Sequence, residues 1–162
     1  MRQIIGLSYL MAIVLTIVAV SVLIVTCNIG SDDTHIQSKN GIHFIDGSFS
    51  KLTALSKKEH KPIFLLAYAN YCSVCKKMKR EVLSQEEIGS FFNAKFINFA
   101  VDIESSYGNE IVNKYQIGVT PTILFLDSNG EVLKKAEGFQ DKEDLFLLSR
   151  SNIILSGTSN RK

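Results

Sequence analysis

Ile63-Phe64-Leu65-Leu66-Ala67-Tyr68-Ala69-Asn70-Tyr71-Cys72-Ser73-Val74-Cys75 sets an apolar run directly before two cysteines separated by two residues. The run, read as a strand over 62–69, shows no polar alternation, so both of its faces are to be covered and it belongs at the centre of a sheet. A helix opening near Cys72 then places Val74, Met78 and Val82 on one stripe at i, i+4 and i+8, with Leu83 beside it. A Cys-x-x-Cys pair at such a strand–helix junction is a redox candidate. One helical turn brings the two sulfurs within bonding reach. The first lies at the helix N-terminus, where unpaired backbone N–H groups and the positive dipole end favour a thiolate. Lys76, Lys77, Lys79 and Arg80 add positive charge along the same segment. Cys72 is therefore the expected nucleophile and Cys75 the resolving thiol. The bland alternative is an inert staple, which a loop this short makes unrewarding, because it constrains the unfolded chain little.

Outward from this junction, β-rich runs alternate with helical segments, the pattern of an α/β fold with some parallel pairing. A strand is expected at 42–45 and a helix at 48–59. Ser84 with Glu87 three residues on reads as a capping box that restarts a helix through Phe91 and Phe92. A strand over 96–101 follows, then a helix over 105–115 with Tyr107, Ile111 and Tyr115 on one face. The domain closes with a hairpin, Thr122–Leu126 and Val132–Ala136 about a Ser128-Asn129-Gly130 turn. Asp141 is placed to cap a last helix carrying Leu145, Phe146 and Leu148. Phe91, Phe92, Phe96 and Phe99 read as core.

The run Tyr68-Ala69-Asn70-Tyr71-Cys72-Ser73-Val74-Cys75-Lys76, followed by Gly118-Val119-Thr120-Pro121-Thr122-Ile123 and then Gly138-Phe139, resembles thioredoxin-like proteins, in particular the C-terminal periplasmic domain of DsbD-type reductases and stand-alone membrane-anchored thioredoxins. The resemblance covers residues 42 to 150. It implies a thioredoxin-like α/β fold, a βαβ unit and a ββα unit sharing a central mixed sheet flanked by helices. It also implies a cis-proline at Pro121 facing the Cys pair, with the Thr120 backbone free to pair with a substrate strand. Cys72 and Cys75 are then catalytic, Tyr71, Thr120 and Pro121 meet the substrate, and the Cys72–Cys75 disulfide is the redox group with no added cofactor. Where thioredoxins carry Trp and Gly-Pro, this chain has Tyr71 and Ser73-Val74. Where they carry a buried acid six residues before the first cysteine, it has Leu66. Glu81, near the end of the same helix, is no evident replacement.

The chain's 162 residues, 46% apolar with a net charge of +2, carry no basic block, which argues against a nucleic-acid partner. From Ile4 to Cys27 there is no charged residue, and Ser8, Thr16, Ser21 and Thr26 are the small polar interruptions. Such a helix reaches roughly 36 Å, enough to cross a hydrocarbon core about 30 Å thick. An uncleaved signal anchor is expected, with Arg2 on the cytoplasmic side and Asp32 and Asp33 outside. The run Ile24-Val25-Thr26-Cys27 also resembles a lipobox, which would make Cys27 an acylated anchor. The expected organisation is a membrane anchor at 1–27, a linker at 28–41, the thioredoxin-like domain at 42–155 and a tail at 156–162. The domain would face the periplasm or outside of a bacterial cytoplasmic membrane. A reductase of protein disulfides, re-reduced by a membrane electron donor of DsbD type, is the favoured activity. Oxidase or isomerase action, or thiol-based copper binding, stays open. A zinc site is not supported, since His35, His43, His60 and Cys27 have no ligand spacing.

Overall fold

The computed structural model describes residues 13–16, a short helical piece, and residues 40–158. The first element of the domain, α1 (Phe49–Glu59), is capped by Ser48, whose hydroxyl accepts the Lys51 N–H. Strand β1 (Ile63–Tyr68) leads into α2 (Ser73–Met78), which widens into a π-helical turn over Lys79–Leu83. The extra residue in that turn lets the consecutive Val82 and Leu83 both reach the core. Helix α3 (Glu86–Lys95), strand β2 (Ile97–Asp102), helix α4 (Ser106–Tyr115), strands β3 (Thr122–Leu126) and β4 (Val132–Glu137) and helix α5 (Lys142–Thr158) complete the domain.

The strands form one mixed sheet in the order β2-β1-β3-β4. β1 pairs parallel with β2, Ile63 opposite Ile97 through Tyr68 opposite Asp102, and antiparallel with β3. The parallel step needs a crossover, and α2 with α3 supplies it. Because successive strand side chains point to opposite faces, β1 feeds two cores. Phe64 and Leu66 join Phe44, Met78, Val82, Phe92, Phe125 and Leu145 on one face, while Ile63, Leu65 and Ala67 join Leu52, Phe99, Ile111 and Leu124 on the other. Phe64, Phe92, Phe96 and Phe125 form a cluster of ring contacts at the centre of the first core. The β3–β4 turn is held by Asp127, whose carboxylate accepts the Asn129 and Glu131 N–H groups, and Gly130 takes the positive φ of +85° that the turn requires.

Three local expectations are corrected. Residues 42–45 are not a strand: Ile42 N–H bonds the Leu83 carbonyl and Ile45 N–H the Asn98 carbonyl, so the segment is shared between two elements and builds no ladder. Ser84 forms no capping box, because it ends the π-helical turn and its hydroxyl donates to the Arg80 carbonyl; α3 starts after Gln85 instead. Val74 leaves the expected stripe. It is 42% exposed while Met78 and Val82 are buried, and in the first turn of α2 the buried side chain is Cys75. Asp141 caps its helix as expected, through the Asp144 N–H, and Ser105 caps α4 through the Gly108 N–H. α5 runs to Thr158, across the expected boundary at 155. Apart from residues 13–16 and 40–41, the expected anchor and linker, Cys27 among them, lie outside the described residues, among which no helix is long and apolar enough to cross a membrane.

Helix α4 comes so close to the end of β2 that a Cβ on Gly108 would fall on the Asp102 carbonyl oxygen and lie 2.8 Å from Ile103 Cα. Gly108→Ala should therefore lower stability. Overpacking costs about 1–3 kcal/mol and outweighs a helix-propensity gain of about 1 kcal/mol. In urea unfolding the midpoint should fall with the slope unchanged; an equal or higher midpoint contradicts this packing.

Candidate active site

The C-terminal end of β1 delivers Ala69, then an exposed turn at Asn70 and Tyr71, then Cys72 as the N-cap of α2. Cys72 has extended backbone angles, φ −73° and ψ 107°, and its Sγ accepts the Cys75 N–H at 3.0 Å. A sulfur at this position takes up one of the donors that a helix start leaves unpaired. Cys72 and Cys75 are joined as a disulfide with Cα atoms 5.3 Å apart. Both are nearly covered, packed with Ala69 and against Tyr68 and Ile103.

The loop before β3 meets the pair from the far side in sequence. Cys72 Sγ lies 3.5 Å from the Thr120 carbonyl oxygen, and the Thr120–Pro121 bond is cis. Thr122 Oγ1 donates to the Val119 carbonyl, and Gly138 N–H donates to the Pro121 carbonyl, so both ends of this loop are fixed. Beside the cysteines in sequence, Tyr71 and Val74 stand 71% and 42% exposed, and Val119 next to Thr120 stands 49% exposed. Each residue expected at the site is thus brought to one end of the sheet. No group of three or more His, Cys, Asp or Glu that could hold a metal occurs among the described residues.

The electrostatics differ from the expectation in two respects. Lys77 is directed to Glu81 (3.9 Å) and over the Phe139 ring (5.0 Å), and Lys76 and Arg80 are exposed, so these cations do not converge on the sulfur. A carboxylate that sequence reasoning missed, Asp102, lies beside Tyr68 in the parallel register and binds Asn70. Burial, then the Asp102 charge, pushes the Tyr68 phenol above its ordinary value. Nothing local marks Asp102; only the pairing of β1 with β2 brings it there.

Leu66 lies two residues before Tyr68 on the same face of β1, 3% exposed, among Met78, Val82 and Ile123. Glu81 is exposed and paired to Lys77, so it supplies no buried acid. Leu66→Asp should cost about 2 kcal/mol or more at pH 7, since a carboxyl there is desolvated without a partner. Burial raises its folded pKa above the unfolded value, so the loss should be smaller at pH 4 and grow as pH rises. Resolution by Cys75 should become faster, as general-base help is typically worth about 10² to 10⁴. An unchanged urea midpoint together with an unchanged single-turnover exchange rate contradicts the placement of Leu66 under the pair.

A family model described as a thioredoxin-like domain matches residues 49–149. The thiol:disulfide interchange protein DsbD of Photorhabdus laumondii is 28% identical over 90 residues, a match that covers 54% of this chain and 16% of that protein. The chain thus matches only a small part of the length of this curated relative. Among solved structures, a thioredoxin from Thermus thermophilus aligns with a TM-score of 0.64 at 18% identity, covering 75% of this chain and 94% of that one. The oxidised C-terminal domain of Neisseria meningitidis DsbD aligns at 0.55 and 20% identity, covering 64% and 90%. At these identities the structural likeness speaks for the fold, and the family match spans the sheet, the cysteine pair and the cis-proline loop together. The chain belongs to the thioredoxin-like domain family.

Proposed function

We propose that this protein is a membrane-tethered thiol:disulfide oxidoreductase that reduces disulfides of envelope proteins. The observation that carries the reading is Cys72 Sγ at the start of α2, 3.0 Å from the Cys75 N–H and 3.5 Å from the Thr120 carbonyl. In the reduced protein that N–H stabilises a Cys72 thiolate, the species that attacks disulfides. The thiolate bonds one substrate sulfur, the substrate S–S bond breaks, and the other substrate sulfur leaves as a thiolate that takes a proton. Cys75 then loses its proton and attacks Cys72 Sγ, forming the Cys72–Cys75 disulfide and releasing the second substrate thiol. Two electrons pass from the dithiol to the substrate, and no further cofactor takes part. The Thr120 backbone and the exposed Tyr71 receive an extended substrate segment beside the sulfur.

The reductive direction is taken from the resemblance of the Cys72 and Pro121 motifs to DsbD-type reductases; the name thiol:disulfide interchange protein, carried by the matched DsbD proteins, supports exchange chemistry in either direction. Oxidase or isomerase action would use the same two steps under a different redox poise. The tether is the apolar stretch from Ile4 to Cys27, either as a spanning anchor or through acylation of Cys27, with the domain outside a bacterial cytoplasmic membrane. A membrane partner of DsbD type would return electrons to the oxidised pair.

Two outcomes follow for the full-length chain. Cys72 should alkylate faster than Cys75 at neutral pH, with a titration midpoint below the free-cysteine value of about 8.5. Cys75→Ser should accumulate mixed disulfides with substrate proteins, because the trapped adduct on Cys72 has nothing to resolve it. Equal alkylation rates for the two thiols, or adducts recovered from Cys72→Ser instead, would overturn the assignment of roles.

A further inference from the structure

The turn that carries Cys72 is tied to a neighbouring strand. Asn70 is exposed two residues before Cys72, and its Nδ2 donates to Asp102 Oδ2 at 2.5 Å. A carboxylate has no proton to give, so the amide must be the donor. Asp102 is itself held from several directions. Its Oδ1 accepts the Glu104 N–H at 3.0 Å, its carbonyl accepts the Ser105 N–H and hydroxyl, and the next residue, Ile103, donates its N–H to the Tyr68 carbonyl. The end of β2 is thus a fixed post beside a turn whose tip points into solvent.

We propose that Asp102, acting through Asn70, is the positioning residue of the reactive cysteine: it pins the Asn70–Tyr71 turn so that Cys72 Sγ stays at the Cys75 N–H. The proposal rests on the reading that Cys72 reacts as a thiolate. A hydrogen bond to an ionised sulfur is strong and distance-dependent. A loosened turn lets the sulfur leave its donor, and Cys72 then titrates nearer the free-cysteine value of about 8.5. The titratable and charged groups on the elements around Cys72 are Tyr68 on β1, Tyr71 in the turn itself, Asp102 and Glu104 at and just after the end of β2, Cys75, Lys76 and Lys77 on α2, and Lys79, Arg80 and Glu81 on the π-helical turn that continues it; Gly118–Pro121 contributes none. Removing the Asp102 charge would by itself favour the thiolate, which opposes the loss of the tie. Asn70 is neutral, so Asn70→Ala breaks the tie at constant charge.

The test is the rate of iodoacetamide alkylation at Cys72 in the reduced full-length chain, mapped by peptide mass, at pH 6 and pH 9.5. Asn70→Ala should slow it about threefold to tenfold at pH 6, where the thiolate fraction limits the rate, and leave it unchanged at pH 9.5. Asn70→Asp, which faces Asp102 with a second carboxylate, should slow it further at pH 6. Parent-like rates at pH 6 for Asn70→Ala, or equal slowing at both pH values, would overturn the proposal. Disulfide exchange by the parent protein is measured separately, so a failure of the activity and a failure of the positioning role are told apart.

Discussion

Strand β1 has neither a free edge nor a free face, and every part of the site is measured from its C-terminal end. It is bonded to β2 on one side and β3 on the other, and Ile63 to Ala67 are all buried. Its own pattern cannot fix its register, because a slip by one residue would exchange one apolar face for another. The register is held by what flanks it. On one face sits the aromatic cluster about Phe64; at the far end, the Tyr68 and Asp102 positions pair just before both strands stop. With β1 fixed, the turn, the N-cap sulfur and the first N–H groups of α2 have one place to be, and β3 carries the Thr120–Pro121 bond to the same end of the sheet.

The site's chemistry follows from how few groups stabilise charge on Cys72. The helix start offers the Cys75 N–H. The nearby lysines are exposed or engaged elsewhere, and a carboxylate stands two residues away through Asn70. Under the proposed function, this placement lends Cys72 some thiolate character without the strong stabilisation of the reduced form that makes a pair a powerful oxidant. That balance suits a dithiol that gives electrons away. Leu66 bears on rate and not on direction, since an apolar residue at this core position leaves the second thiol without a built-in proton acceptor.

Most of this was legible because it is local. The apolar run before Cys72, the Asn129-Gly130 turn and the Asp141 cap each carry their instruction within a few residues. What stayed hidden depended on distant partners. Residues 42–45 look like a strand, yet they bond to Leu83 and Asn98 in turn and form no ladder. Ser84 looks like a cap, but a π-helical turn that no spacing announces gives its hydroxyl to Arg80. Val74 fits a helical stripe and is still 42% exposed, while Cys75 is the buried side chain of that first turn. Asp102 was invisible for the same reason: its role exists only once β2 lies parallel to β1 with Tyr68 beside it.

The central claim is that Cys72 and Cys75 form an electron-donating dithiol, and its most direct test is the reduction potential of the pair. The full-length protein is equilibrated in thiol–disulfide buffers at pH 7, quenched by alkylation, and the oxidised fraction read by mass. The account predicts a potential below about −220 mV, in the range of reducing relatives. A value near about −120 mV, that of a strong oxidant, would contradict it.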